Sequence, residues 1–296
     1  MDQYIRSFIK YVELERRYSP HTLTSYTTDL VQFESFLQEY FNSDAIDWEK
    51  TDKNIIRLFM NELLTRNISR RSVARKLATL KSFYKFLVRE QNISQNPVLS
   101  LKMPKFEQKL PQYISEKEVT ALLKLPQIRT FEGLRDLAIL ELFYGTGIRL
   151  SELINLTMKN VLLAENTIRV KGKGKKERII PLGAAAKKII LDYLDFRPQY
   201  ARDSVEHLFV LKSGKKMYPM AVQRIVSKYL NQVSQAQKPS PHLLRHTYAT
   251  HLLNAGASIR VVKDLLGHES LSTTQVYTHL SLDYLKEIYK KAHPGS

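Results

Sequence analysis

A break in helical periodicity at residues 101–112 constrains the fold of this 296-residue chain more than any other feature. Upstream of the break, apolar residues recur every three or four positions, which is the spacing of one face of an α-helix. A clear run of them is Leu23, Tyr26, Leu30, Phe33 and Leu37. The break itself holds two prolines and no such spacing, and it therefore predicts an extended linker. We expect a helical N-terminal domain over 1–100 and a second domain over 113–296.

The second domain is predicted to be mostly helical with one pair of strands. Residues 167–170 and 178–182 are rich in apolar and β-branched side chains and flank a short glycine-rich basic segment, 172–175. This pattern is typical of a β-hairpin. Helical spacing places the other elements at 133–144, 150–157, 183–195, 219–235, 242–255, 258–266, 272–279 and 282–291. The predicted fold class is mainly α with a small β-hairpin.

Polar residues at helix starts predict several boundaries. Ser19 followed by Pro20 is the pattern of an N-cap and a first-turn proline. A fourth helix is expected from about Ser69 to Arg89, after a third that begins near residues 51–52. Beyond the linker, a serine and a glutamate three residues apart predict a capping box at 115–118.

Composition excludes several classes of protein. The chain has no cysteine, which excludes a disulfide framework, a thiolate zinc site and a cysteine nucleophile. Residues 1–8 lack the apolar core of a signal peptide, and no run approaches about 18 apolar residues. We therefore expect a cytoplasmic protein with no membrane partner.

The net charge of +17 favours a polyanionic partner, most often nucleic acid. The charge is uneven, because residues 1–56 hold 6 Lys and Arg against 10 Asp and Glu. Residues 57–109 hold 12 against 3, and residues 110–296 hold 28 against 16. The excess therefore begins at the fourth helix and continues through the second domain.

The fourth helix carries basic residues beside its apolar stripe with almost no interleaved acid. One interpretation is a solvated helix face. We favour a surface that follows DNA phosphates, because a helix made only for solubility would mix the two signs of charge. The residues expected to contact DNA are Arg70, Arg71, Arg75, Lys81, Lys85 and Arg89, with Lys171 and Lys175 at the hairpin.

Four short segments of the second domain could carry chemistry. They hold Arg149 after a Gly-Thr-Gly turn, Lys173 between two glycines, the pair His242 and Arg245, and a segment with His268 and Tyr277. Each has an ordinary alternative: a surface arginine, a solvated turn lysine, packed or exposed histidines, and a core tyrosine. The histidines could also ligate zinc, but the neighbouring arginine favours an anion over a metal ion.

Taken together, these residues suit phosphoryl transfer without a metal ion. Two guanidinium groups and a histidine donor can neutralise the charge that builds on the oxygens of a phosphodiester in transfer. A tyrosine can attack the phosphorus and hold the strand end covalently. A lysine can protonate the departing oxygen.

Four local strings resemble the tyrosine recombinase family. They are "GTGIRLSEL", "VKGKGKKERIIPL", "HLLRHTYATHLL" and "LLGHESLSTTQVYTH". The likeness covers nearly the whole chain, and it is greatest to the bacterial Xer-type recombinases. The first hundred residues resemble the family's helical core-binding domain, and the segment "SPHTLTSYTTDLVQFESFL" resembles the opening of that domain.

The resemblance implies a role for each matching residue. Tyr277 would be the nucleophile that forms a 3′-phosphotyrosyl link. Arg149 and Arg245 would bind the non-bridging oxygens, and His268 would donate to them. His242 would accept the tyrosine proton or bind the phosphate, and Lys173 would be the general acid. Glu152 would support Arg149, and no cofactor or metal would be needed.

The resemblance also implies an assembly and a biological role. Two domains would form a C-shaped clamp on a double-stranded recombination site. Four protomers would exchange strands between two duplexes, either as identical copies or with a paralogous recombinase. The role would be resolution of chromosome dimers, regulated by a DNA translocase at the division septum. The alternatives are a mobile-element integrase, a type IB topoisomerase-like enzyme, a DNA-binding protein without catalysis that docks through a helix-turn-helix at 258–279, and a metal phosphodiesterase.

Overall fold

The chain divides into two compact units, Met1–Lys109 and Leu110–Ser296. The structure is a computed structural model that describes residues 1–104, 112–172, 177–201, 205–236 and 238–267. Within these ranges no helix combines the length and the hydropathy that a membrane crossing requires. Most of the linker predicted at 101–112, and the helices predicted at 272–279 and 282–291, lie outside the described residues.

The first unit contains α1 (Gln3–Leu14), α2 (Pro20–Phe41), α3 (Lys53–Thr65) and α4 (Arg70–Arg89), with a short 3-10 turn at Trp48–Lys50. The cap predicted for α2 is confirmed, and α4 begins where the sequence predicted it. The Ser19 hydroxyl accepts from the Thr22 amide, and the Ser69 hydroxyl accepts from the Ser72 amide. These bonds satisfy amides that have no partner inside the helix, and so they fix where each helix begins.

The core of the first unit is built from the apolar faces of these helices. Phe8, Leu30 and Phe33 are fully buried, together with Phe83 and Leu87 of α4. Each such side chain stabilises the fold by about 2 kcal/mol on burial. The basic residues of α4 lie on its outer face except Lys76, which is buried.

The second unit is mainly helical and contains a small sheet. Its elements are α5 (Glu116–Lys124), α6 (Phe131–Thr146), α7 (Leu150–Ile154), β1 (Val161–Leu162), β2 (Thr167–Lys171), β3 (Glu177–Pro181), α8 (Ala184–Phe196), α9 (Pro219–Val233), α10 (Pro241–Asn254) and α11 (Ile259–Leu266), with 3-10 turns at Met158–Asn160 and Arg197–Gln199. The capping box at Ser115 and Glu118 is present, which confirms that prediction.

The three strands pair antiparallel in the order β1-β2-β3. The predicted hairpin is confirmed, with Ile168 opposite Ile180 and Val170 opposite Arg178. Its tip at 173–176 lies outside the described residues. Strand β1 was not predicted, because two residues carry too little alternation to be recognised. A turn through Asn166, which has a φ of 52°, returns the chain from β1 to β2.

The helix predicted at 150–157 is too long, since α7 ends at Ile154. Beyond it the chain turns to pair with a later segment. The Leu208 amide donates to the Leu156 carbonyl at 2.8 Å, and Thr157 forms an antiparallel bridge with His207. This long-range pairing takes backbone groups that a longer helix would use.

Helix α6 lies at the centre of the second unit and positions the site. It is buried on all sides along nearly its whole length and packs against α8 and α10. A helix that is buried on every side is typical of a central position in a core. The packing of α6 against these helices therefore fixes the position of its C-terminal end, at Gly147.

Candidate active site

The turn between α6 and α7 presents Arg149. Gly147 ends α6 with a φ of 60°, a left-handed conformation that glycine adopts without steric cost. Arg149 follows at the N-cap position of α7, and its backbone amide donates to Glu152 Oε2 at 2.8 Å. This bond therefore fixes the backbone position from which the Arg149 side chain extends.

Glu152 also holds the guanidinium of Arg149. Arg149 Nη1 donates to Glu152 Oε1 at 2.8 Å, and the glutamate side chain is only 2% exposed. Burial by itself raises the pKa of the Glu152 carboxyl, but hydrogen bonds from Arg178 and Arg149 outweigh it and hold the pKa below its ordinary value. Glu152 is therefore a carboxylate at neutral pH.

Arg245 lies in α10 and is nearly buried. Its Nη1 donates to the Gly147 carbonyl, and its Nη2 donates to the Leu266 carbonyl at 2.5 Å. Burial and then the positive charge of Arg149 lower the pKa of Arg245 to about 10. That value still leaves the guanidinium charged at neutral pH, in a place where few water molecules reach it.

Arg149 and Arg245 both bind carbonyl oxygens at the end of α11. Arg149 Nη2 donates to the Gly267 carbonyl at 2.6 Å, next to the Leu266 carbonyl that Arg245 binds. Gly147 and Gly267 end α6 and α11, where carbonyl oxygens without helical partners carry partial negative charge. The two guanidinium groups are thus held side by side, and such a pair suits a phosphate group.

The histidines of α10 are spread apart. His242 is exposed in the first turn, one turn before Arg245. His251 is buried near the other end, and its Nδ1 lies 3.0 Å from the Tyr144 hydroxyl. Burial lowers the pKa of His251. In the part of the chain that the structure describes, no cluster of ligating side chains could hold a metal ion.

Four of the predicted site residues lie outside the described residues. They are Lys173, Lys175, His268 and Tyr277. Lys171 is exposed at the end of β2, where its Nζ lies 3.5 Å from Glu177 Oε1.

The basic residues predicted on α4 are all exposed, and two of them have partners within the unit. Arg75 pairs with the buried carboxylate of Asp29. Arg89 pairs with Glu90 at 2.7 Å and lies over the ring of Tyr11, 4.1 Å from its centroid. Part of the charge on this face therefore also stabilises the unit.

Sequence reasoning missed Arg178. Its Nη1 and Nη2 donate to the two oxygens of Glu152 at 2.6 and 2.9 Å, and its Nε donates to the Leu265 carbonyl at 3.0 Å. The sequence feature that could have identified it is its position in β3, on the same side of the strand as the buried Ile180. An arginine on the inner side of a strand requires a buried acceptor, and this could have pointed to it.

The chain matches two family models. Residues 112–283 match the phage integrase family, and residues 5–91 match the phage integrase N-terminal SAM-like domain.

Individual proteins resemble it along nearly the whole length. It is 41% identical to tyrosine recombinase XerC of Chlorobaculum parvum, covering 99% of this chain and 95% of that protein. A structure of XerH site-specific recombinase bound to a palindromic difH substrate, a post-cleavage complex, is similar with a TM-score of 0.71 and 21% identity, covering 96% of this chain and 83% of that chain. A lambda integrase tetramer bound to a Holliday junction is similar with a TM-score of 0.69 and 18% identity, covering 91% and 74%.

Proposed function

The chain belongs to the phage integrase family and is a site-specific tyrosine recombinase of the Xer type, and on that premise we propose that Tyr277 is its nucleophile. Attack of the tyrosine oxygen on a backbone phosphorus would form a 3′-phosphotyrosyl link and break the bond to the 5′ oxygen. Attack of a 5′-hydroxyl on that link would restore the backbone and free the tyrosine. The bond energy is conserved, so rejoining needs no external energy source.

One observation carries the assignment of the phosphate site. Arg149 and Arg245, which lie far apart in sequence, donate to neighbouring carbonyls at the end of α11. Arg245 is buried and Arg149 is partly buried, and charged guanidinium groups in such places stabilise the developing charge on non-bridging oxygens more than groups in water would. Glu152 supports this pair by orienting Arg149.

The remaining roles concern protons. His242, exposed one turn from Arg245, accepts the tyrosine proton or binds the phosphate. His268 donates a hydrogen bond to the same oxygens, and Lys173 gives a proton to the departing 5′ oxygen. This scheme uses no metal ion and no cofactor.

The proposed biological role is resolution of chromosome dimers in the cytoplasm, on the nucleoid. Four protomers would act on two duplexes, either as identical copies or together with a paralogous recombinase. A DNA translocase at the division septum is the proposed regulator. Integration of a mobile element is the second candidate, since it uses the same strand exchange.

The test requires a DNA sequence that the protein recognises. Such a sequence is obtained by isolating the duplexes that the protein binds from a randomised library. A version with a nick beside the cleavage position traps the covalent adduct, and we call it the nicked duplex. Wild-type protein with EDTA is expected to give an adduct that survives denaturation. Tyr277→Phe should give none while binding the same DNA.

The other outcomes separate the alternatives. An adduct in Tyr277→Phe would move the nucleophile to another residue, and loss of activity in EDTA would favour a metal phosphodiesterase. Tight binding without any adduct would favour a DNA-binding protein without catalysis. Arg149→Ala and Arg245→Ala should each slow adduct formation by about 10²–10³-fold, the usual cost of one preorganised donor.

A further inference from the structure

All three nitrogens of the Arg178 guanidinium bind acceptors in the second unit. Two of them meet both oxygens of Glu152, and the third meets the carbonyl of Leu265 near the end of α11. The side chain is only 12% exposed. A planar fork bound in this way has one orientation, which a lysine ammonium could not reproduce.

Each oxygen of the Glu152 carboxylate takes two donors. Oε1 accepts from Nη1 of Arg149 and Nη1 of Arg178, while Oε2 accepts from the Arg149 amide and Nη2 of Arg178. The position of the Arg149 side chain therefore depends on a carboxylate that β3 holds through Arg178. Without Arg178, half of the donors to a nearly buried charge would be lost, and the carboxylate would be free to shift.

The same two arginines also bind the end of α11. Arg178 holds the Leu265 carbonyl and Arg149 holds the Gly267 carbonyl. Arg178 packs closely on Gly267, where a Cβ would lie 3.1 Å from Arg178 Nη1. The bonds form a closed ring through Glu152, Arg149, the end of α11 and Arg178. The segment that follows in sequence carries His268 and Tyr277.

We propose that Arg178 is a positioning residue for DNA cleavage: it fixes the Glu152 carboxylate that orients Arg149, and it ties the end of α11 to that same carboxylate. The proposal rests on the role given to Arg149 under the proposed function. Each guanidinium nitrogen of Arg178 already donates to Glu152 or to Leu265, and the side chain is largely buried, so Arg178 acts on the reaction through the other residues of the ring.

The test compares wild-type protein with Arg178→Lys and Arg178→Ala on the nicked duplex. Three quantities are measured: the dissociation constant for DNA, the midpoint of thermal unfolding, and the rate of adduct formation with DNA saturating. Both variants should bind DNA as wild type does and form the adduct about 10–100-fold more slowly, since small displacements of a positioned group cost about this much. Arg129→Lys, at an exposed residue before α6, is the matched control and should match wild type throughout.

A double-mutant cycle with Glu152→Gln separates positioning from general stabilisation. If Arg178 acts through Glu152, adding Arg178→Lys to Glu152→Gln should slow the reaction by less than about threefold further. Fully multiplicative effects would contradict the proposal, as would a wild-type rate in Arg178→Lys. Loss of folding in Arg178→Lys would also overturn it, because the residue would then be a requirement of the fold.

The outcome also distinguishes this proposal from the proposed function. Failure of wild-type protein to form an adduct contradicts the proposed function. An adduct in wild type together with unaffected Arg178 variants contradicts only the role of Arg178.

Discussion

Arg245, in α10, donates from Nη1 to the carbonyl oxygen of Gly147, the residue that ends α6. The bond joins a candidate phosphate ligand to the end of the central helix of the second unit. Gly147 also lies against Tyr248 and Leu266, so its conformation and its packing are both constrained.

We expect Gly147→Ala to lower both stability and cleavage. A Cβ there would lie 2.5 Å from Tyr248 Cδ1 and 2.8 Å from Leu266 Cδ2, and the φ of 60° strains any residue but glycine. The free energy of unfolding should fall by about 3 kcal/mol, the sum of backbone strain and overpacking. Gly256→Ala is the control, since its φ is also positive but no atom lies within 4 Å, and it should cost about 1 kcal/mol. If urea unfolding gave the same loss of stability for Gly147→Ala and Gly256→Ala, the close packing around Gly147 would have no effect on stability.

We expect Asp29→Asn to destabilise the first unit. Asp29 is 1% exposed and accepts from Lys76 Nζ at 2.8 Å and from the Thr79 hydroxyl at 3.0 Å. Removing its charge leaves the lysine ammonium buried and unpaired, which costs about 3 kcal/mol. Adding Lys76→Met should recover part of the loss.

Denaturant unfolding measures this effect, with Asp44→Asn at an exposed position as control. The control should change stability by less than about 0.5 kcal/mol. A double variant no more stable than Asp29→Asn would contradict the assignment of the loss to an unpaired lysine.

We expect the stability of the second unit to depend on pH through Glu152. The folded state lowers the pKa of this carboxyl below its ordinary value of 4.5. Its contribution is therefore fully present above about pH 4.5 and is lost as the pH falls through the folded value. Unfolding from about pH 6 to about pH 3 should show wild type losing stability more steeply than Glu152→Gln. Parallel curves would contradict this, and Glu165→Gln, at an exposed turn, should follow wild type.

We expect DNA affinity to fall steeply with salt. If about eight phosphates are neutralised, the logarithm of the association constant should fall with the logarithm of salt concentration with a slope of about −7. Lys85→Gln, on the exposed basic face of α4, should reduce the size of the slope by about 1. Lys188→Gln, exposed on α8, is the control. An unchanged slope in Lys85→Gln would place this face away from the DNA.

Much of the local structure could be predicted because its causes lie close together in sequence. Ser19, Ser69 and Ser115 cap helices through bonds to residues three positions later. The hairpin needs only two apolar segments and a glycine-rich turn. The four strings that predicted a tyrosine recombinase are local as well, and the family match confirms that prediction.

The sequence alone thus determined where helices begin, where the hairpin forms and which family the chain belongs to. Only the tertiary structure decided that α7 stops at Ile154, that Arg75 pairs with Asp29, and that Arg178 shares Glu152 with Arg149. The physical reason is the same in each case. The partners lie between 26 and 52 residues apart, and no rule of local spacing can say which buried carboxylate or carbonyl a distant donor will meet.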